Sequence, residues 1–516
     1  MNLKSISFLC SLFIFCLQSC TPTIETPAPN VLFIAIDDLN DWASPLAGNP
    51  QAVSPNLDAF AQKSVNFTRN YCTSPGCNPS RSTLLTGYHT YNSGMYSNYQ
   101  DWREVPKLKE AITLSRYFKQ NGYYTAGAGK IFHYGQVDTL AWHDYFPSIK
   151  NPMPRDSFPK RRHKDHPPFK YMYNMFDWQG LDIPDEQTPD YQSVAYINEQ
   201  LKTPRTEPFF LACGIYRPHL PWYVPQQYFD LFPLEDIQLP ELLENDTSDL
   251  GTRAKELIQR GGNYHQHIVE TNQWKQAIQG YLASVAYADA MFGELMQALE
   301  ESGQADNTIV VVWSDHGWQL GEKMHWRKFA LWENVIRTLM MVRVPEGTPG
   351  LPEGSSNGIA TDNLTSLLDL YPTLVDLCGL PSRPDLDGQS LIPILKAPQE
   401  QQDRAVVSTY DYGDYSLRYG PWHFIQYVDD SEELYHLEKD PNEWYNLVEQ
   451  AEYDSIKIAL KQMLPQQRID LPEASLIPLM EHHIPPVKSK DYYYSTERKN
   501  WLKRFERLNE ADAGRR

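Results

Sequence analysis

Along this chain, short and nearly continuous apolar runs alternate with segments whose apolar residues recur every three or four positions. That is the pattern of buried parallel strands covered on both faces by amphipathic helices. Asn30–Ile36, Pro208–Ile215, Thr308–Trp313 and Leu339–Val344 read as strands, as do Val65–Phe67 and Tyr123–Gly127. Between them Pro55–Ser64, Leu108–Gln120, Tyr191–Leu201, Ile268–Ala305 and Ser366–Cys378 read as helices. The stretch Ile268–Ala305 carries Tyr281, Val285, Ala288, Phe292, Leu295 and Leu299 at alternating helical spacings, so it is expected to lie on the sheet. Strand and helix in alternation predict an α/β fold, doubly wound around a mostly parallel sheet. After Leu391 the pattern shortens to Ala405–Thr409, Tyr415–Tyr419 and Trp422–Tyr427, the sign of a smaller second unit. From Trp142 to about Asp190 no period is visible, and this excursion, rich in Pro, Lys and aromatic residues, is expected to shape a pocket.

The N-terminus sets the compartment. Lys4 precedes the apolar run Ile6–Leu17, which is too short for a membrane span and reads as a secretory signal. Leu17-Gln18-Ser19-Cys20 resembles the lipobox of bacterial lipoproteins, which implies lipidation of Cys20 and a tether from Thr21 to Pro29; an ordinary cleaved signal followed by release is the alternative. The expected organisation is a signal over 1–19, a lipidated tether over 20–29, a catalytic domain over 30–391, and a C-terminal subdomain with tail over 392–516. A bacterial cell envelope location follows, facing the periplasm or the cell surface, with the membrane touched only through the lipid. The formal net charge of −19 argues against a nucleic-acid partner, and any anionic substrate must be attracted by a local cluster of cations. Outside the first twenty residues only Cys72, Cys77, Cys213 and Cys378 remain, too few for a disulfide framework in a domain this large.

Several strand ends carry chemistry. Asp37-Asp38 closes one apolar run and Asp315-His316 another, and paired acids at such an end repel unless a cation, Ca²⁺ or Mg²⁺ by its preference for hard oxygen ligands, sits between them. Lys130 and His133 follow the strand at Tyr123–Gly127, and His219 and Trp222 follow the strand at Pro208–Ile215. Lys323, His325, Arg327 and Lys328 crowd one segment and supply the local positive field. The segment Pro75–Gly87 places Cys77 behind Gly76 and ahead of Pro79, with a helix expected over Ser80–Thr86, so that Cys77 faces a helix N-terminus with Arg81 beside it. The spacing of His163 and His166 suits a metal, although a pair of histidines in a basic loop is more often solvated.

Cys77-x-Pro79-x-Arg81 resembles the signature of the type I sulfatases, and the phrases Gly129-Lys130-Ile131-Phe132-His133, Arg217-Pro218-His219-Leu220-Pro221 and Asp315-His316-Gly317 are similar to the iduronate-2-sulfatase-like branch. Glu433-Leu434-Tyr435 and Asp440-Pro441 resemble that family's C-terminal subdomain. The resemblance implies an alkaline-phosphatase-like fold with a small α+β subdomain, and a sulfatase acting on a sulfated saccharide, such as an oligosaccharide from a uronate-containing algal polysaccharide or a glycosaminoglycan. It further implies that a formylglycine-generating or sulfatase-maturating enzyme oxidises Cys77 to formylglycine. Asp37, Asp38, Asp315, His316 and modified Cys77 would surround one Ca²⁺, Lys130 and Lys328 would hold the sulfate with Arg81 nearby, His133 would take a proton from the hydrated aldehyde, and His219 would protonate the leaving alcohol. Trp222 could floor the sugar site. The readings left open beside this one are a disulfide between Cys72 and Cys77, a phosphatase or phosphodiesterase of the same superfamily, and a surface lipoprotein that only binds sulfated glycan.

Overall fold

In the computed structural model, residues 28–98, 100–155, 176–259, 264–467 and 469 are described. Cys20, the signal and most of the tether, the His163–His166 pair and the tail beyond 469 lie outside them. Eight strands form the main sheet: β1 Asn30–Ile36, β2 Val65–Phe67, β3 Tyr124–Gly129, β4 Asp144–Phe146, β5 Phe209–Ile215, β6 Thr308–Ser314, β7 Met340–Arg343 and β8 Ile359–Thr361. They lie in the order β8-β2-β7-β6-β1-β5-β3-β4. Only β7 runs against its neighbours β2 and β6, so the sheet is mixed but mostly parallel.

The apolar runs do what their lack of alternation predicts. All seven residues of β1, β5 and β6 are buried, because both faces of these strands are covered. Val31, Phe33 and Ala35 pack into one core with Phe210, Val311 and Trp313, while Leu32, Ile34 and Ile36 point the other way with Leu211, Val310 and Val312. The helix Trp274–Glu301 (α3) covers the second face, and all six residues expected to form its apolar stripe are buried there. Its expected start at Ile268 is a separate short helix, Tyr264–Glu270, and Asn272 between them adopts φ 54, which ends one helix before the next begins. Packed beside α3 is the helix Pro189–Lys202 (α2), close to its expected range.

Register then fixes the working edge. Ile36 pairs with Ile215 on one side and Ser314 on the other, so Asp37, Tyr216 and Asp315 leave the sheet at one level. Gly129 pairs with Gly214, which brings Lys130 out beside them. Those two glycines are required: Gly129 has φ +70, and a Cβ at Gly214 would stand 2.3 Å from the backbone carbon of Lys130.

A second sheet of four antiparallel strands, β9 Ala405–Tyr410, β10 Asp414–Tyr419, β11 Trp422–Gln426 and β12 Glu432–His436, has one face on the main core through Tyr410, Ile425, Tyr427 and Tyr435. Its other face holds the helix Asp454–Met463 (α4) through Leu417, Phe424 and Leu460. The excursion after Trp142 differs from expectation at its start: Trp142 is core, set against Tyr145 and Phe210, and walls no pocket.

Candidate active site

Cys77 opens a helix (α1) that covers Cys77–Thr86, three residues earlier than the expected start at Ser80. Extended Gly76 is its N-cap and Gly87, at φ 81, ends it. Every residue of this helix is buried, so it is a wedge driven into the molecule at the sheet edge. Cys77 and Cys72 are both free thiols, and the disulfide alternative is set aside.

Around the Cys77 Sγ stand Lys328 Nζ at 2.8 Å, His316 Nε2 at 3.4 Å, Lys130 Nζ at 3.6 Å and Asp38 Oδ1 at 3.7 Å. Lys328 also donates to Asp38 Oδ1 at 2.6 Å, and Lys130 to Asp37 Oδ2. Burial pushes the Cys77 thiol up to about 12 despite both ammonium groups. As an unmodified side chain it is therefore a neutral thiol, not a thiolate, at neutral pH.

Ligand-type atoms of Asp38, Cys77, Asp315 and His316 all lie within 4.8 Å of one another, and so do those of Asp37, Asp38, Cys77 and His219. The donor chemistry fits a metal ion. Asp38 Oδ2 is buried with no hydrogen-bond partner, an orphan that a cation would satisfy. His316 Nδ1 donates to the Gly317 carbonyl at 2.9 Å, which leaves Nε2 bare toward Cys77 and, at 3.3 Å, Asp38. Burial holds this imidazole below its ordinary value, in the neutral form that ligates. Burial raises Asp38 although Lys328 opposes it; on Asp37 and Asp315 burial pulls the same way, but Lys130 and Arg81 outweigh it on Asp37, and Arg81 on Asp315, so both stay low. Asp38 itself sits at φ 60, a conformation held by Tyr281, whose hydroxyl donates to the Asp38 carbonyl at 2.9 Å and accepts from the Asn40 amide.

Arg81 is near the sulfur but turned away from it. Its Nε donates to Asp315 Oδ2 and its Nη2 to Asp37 Oδ1, each at 2.9 Å, while Nη1 donates to the carbonyls of Lys130 and Ile131. The guanidinium is thus a brace for two acids and the β3 exit, and the cations that reach the sulfur are Lys130 and Lys328, each also paired with an acid.

The two histidines meet the site from separate strand exits. His219 Nδ1 donates to the Leu220 carbonyl at 2.6 Å, so Nε2 faces the site, 3.8 Å from Asp38 Oδ2. His133 has a buried Nδ1 with no partner. Burial, then Lys130 and Lys328, hold both imidazoles well below their ordinary value. The β5 exit is set by Asp190 of α2, which accepts from the amides of Tyr216 at 2.7 Å and Arg217 at 3.1 Å. Asp190, Tyr281 and Ser80, which donates to the Asp315 carbonyl at 2.5 Å, are structural partners that the sequence analysis missed; an acid at the start of a helix was the one available signal for Asp190.

Other expectations are corrected. Trp222 is wholly buried, donates its indole N–H to the Pro218 carbonyl at 2.7 Å and packs on Trp178, Tyr281 and Trp318, so it supports the His219 loop and is no sugar floor. Lys323 is paired with Asp246 at 2.8 Å and donates to the Glu443 carbonyl, and His325 is bonded to the Lys328 carbonyl at 3.0 Å; neither is a free cation at the sulfur.

Compared with known proteins, the chain matches the family described as sulfatase over residues 29–380 and the C-terminal region of N-sulphoglucosamine sulphohydrolase over residues 321–470. It is 35% identical over 456 residues to a sulfatase of Formosa agariphila, covering 86% of this chain and 87% of that one. It is 31% identical over 415 residues to iduronate 2-sulfatase of Mus musculus, covering 74% of each. A solved structure in complex with its substrate D-glucosamine-2-N,6-O-disulfate superimposes with a TM-score of 0.66 at 21% identity, over 85% of this chain and 97% of that chain.

Proposed function

The chain belongs to the sulfatase family and is a sulfuric ester hydrolase; from that premise we propose that it removes sulfate from a uronate-containing oligosaccharide, with Cys77 oxidised to formylglycine as nucleophile and one Ca²⁺ as metal. The observation that carries the reading is the position of Cys77, a helix-opening residue with Lys328 at 2.8 Å and Lys130 at 3.6 Å, against a buried group of acids. Asp37, Asp38, Asp315 and His316 would hold the ion, which supplies a fixed positive charge for the sulfuryl oxygens. The hydrated aldehyde supplies two hydroxyls on one carbon, one to take the sulfuryl group and one to expel sulfate.

The remaining steps belong to this chain's own residues. Lys130 and Lys328 bind the sulfate oxygens, and their attraction is local, as a net charge of −19 demands. His219 protonates the departing alcohol from Nε2, its Nδ1 being held by the Leu220 carbonyl. His133 takes the second hydroxyl proton at its unpartnered Nδ1. The substrate class follows the likeness to iduronate 2-sulfatase, and an algal polysaccharide or a glycosaminoglycan is its source. We also place the protein in the bacterial cell envelope, held by a lipid on Cys20 and matured by a formylglycine-generating or sulfatase-maturating enzyme. Among the described residues no helix is long and apolar enough to cross a membrane.

The test is sulfate release from a panel of defined sulfated oligosaccharides, with phosphate and phosphonate monoesters alongside and the intact mass of protein from its native host recorded. Sulfate release by protein whose mass reports a converted Cys77 is the expected result. Release from none of the saccharides, or full activity with an unaltered thiol, would overturn the reading.

A further inference from the structure

We propose that Arg327, with the indole N–H of Trp318, forms a second anion subsite beside the sulfate pocket, which selects sugars carrying another acidic group near the scissile sulfate. The inference rests on the saccharide reading above. Arg327 is only 7% exposed, yet the one hydrogen bond of its guanidinium among the described residues runs from Nη1 to the Tyr264 hydroxyl at 3.1 Å, and its Nε is buried without a partner. Burying an unpaired guanidinium is costly, and nearly all buried arginines are matched by carboxylates. No acid faces this one in the described residues. Two further buried polar atoms nearby lack partners, Trp318 Nε1 and the side-chain oxygen of Gln319, and Gln319 lies directly across a two-stranded ribbon from Arg327.

The position relative to the sulfur is given by shared aromatic neighbours. Arg327 Cζ lies 5.9 Å from the Trp318 ring centre and 5.8 Å from that of Phe329, and Lys328 Nζ lies 5.4 Å and 5.8 Å from the same two rings. Phe329, partly exposed, donates its amide to the Pro75 carbonyl at 3.1 Å and so lies against the Cys77 loop. Two consecutive cations therefore flank one aromatic pair. Lys328 reaches the nucleophile, and Arg327 presents a planar fork suited to a carboxylate or a second sulfate. Its backbone, at φ 80, is in a conformation that a non-glycine residue seldom adopts.

The experiment separates binding from turnover. In the Cys77→Ala background, calorimetry is run with a sulfated uronide, its carboxyl methyl ester, and a neutral sugar bearing one or two sulfates. Protein with Arg327 intact is expected to prefer the uronide to its ester, or the disulfate to the monosulfate, by about 10- to 100-fold, the range for a charged hydrogen bond. Loss of the first preference alone in Arg327→Gln identifies the ligand as carboxylate, and loss of the second alone as sulfate. Arg327→Lys is expected to recover part of the preference, and Trp318→Phe to weaken it without removing a charge. Each variant is first checked for an unchanged melting profile. No preference with Arg327 intact, or one that survives in Arg327→Gln, overturns the subsite. Binding with the expected preference by protein whose Cys77-containing form releases no sulfate from these sugars would instead overturn only the functional reading.

Discussion

A thiol pushed up to about 12 is inert at neutral pH, so Cys77 as encoded is a poor nucleophile in the place where a nucleophile is needed. On the formylglycine reading, protein made in a host with no formylglycine-generating or sulfatase-maturating enzyme should fold, resist alkylation at Cys77 and lack sulfatase activity; thiol labelling beside an activity assay checks this. Cys77→Ser should at most accept one sulfate and stall, which intact mass would reveal. The two histidines should separate by leaving group. His219→Ala is expected to lose far more rate on a sugar sulfate than on an activated aryl sulfate, because a phenol of low pKa hardly needs the proton. His133→Ala should slow both alike. Burial and two lysines hold His219 neutral, so it becomes an acid only when an anion offsets Lys130 and Lys328. Turnover of sugar sulfates should therefore fall as pH rises through its pKa in the complex, while the aryl profile stays flatter. That Asp38, Asp315 and His316 come together could be read from sequence because their pairs each end an apolar run, whereas the surroundings of Arg81, Trp222 and Lys323 depend on partners far away in the chain and escape such a reading.

At the scale of elements, three parallel strands ending at one level turn separate motifs into one site. This was legible, since β1, β5 and β6 are continuous apolar runs and such runs belong to covered parallel sheets. The break before α3 was not, because Asn272 carries no pattern of its own and the turn is fixed by tertiary packing. The helix at Cys77 and the strands are locked together by Arg81, which ties Asp37, Asp315 and the β3 exit. Arg81→Lys keeps the charge but cannot span those partners. Breaking a buried pair of this kind costs about 3–5 kcal/mol, so the variant should melt well below the parent and bind metal more weakly, as thermal denaturation with and without added Ca²⁺ would show. Asp315→Ala should abolish turnover, and chelation should do so reversibly; full activity in exhaustively metal-free protein would refute the ligand assignment.

Across the whole molecule, the C-terminal sheet completes the catalytic domain. Lys323, five residues before Lys328, is held by Asp246 and the Glu443 carbonyl, and Glu443 also accepts from the amide of Glu333 at 2.8 Å, so both sides of the Lys328 segment are fixed to that subdomain or near it. Lys323→Met should lower sulfate turnover through misplacement of Lys328, with KM rising more than kcat falls if binding is what suffers. His89 is a second seam: its Nε2 donates to the Val407 carbonyl at 2.9 Å and its Nδ1 accepts from Thr90. Burial lowers this imidazole to about 4, below its unfolded value near 6.5, so its contribution is complete above pH 6.5 and is lost as pH falls toward 4. Relative to His89→Gln, the parent should lose about 3 kcal/mol of stability across that window, readable from denaturant melts at pH 7 and pH 4. With Cys77 at 1% exposure and every residue from 77 to 86 enclosed, no second enzyme can reach the thiol once the sheet has closed over it. On the formylglycine reading, oxidation of that cysteine has to be finished while the chain is still open, so the yield of working enzyme would be set by a race between folding and modification, and a chain that folds first would be sealed for life in its unreactive form.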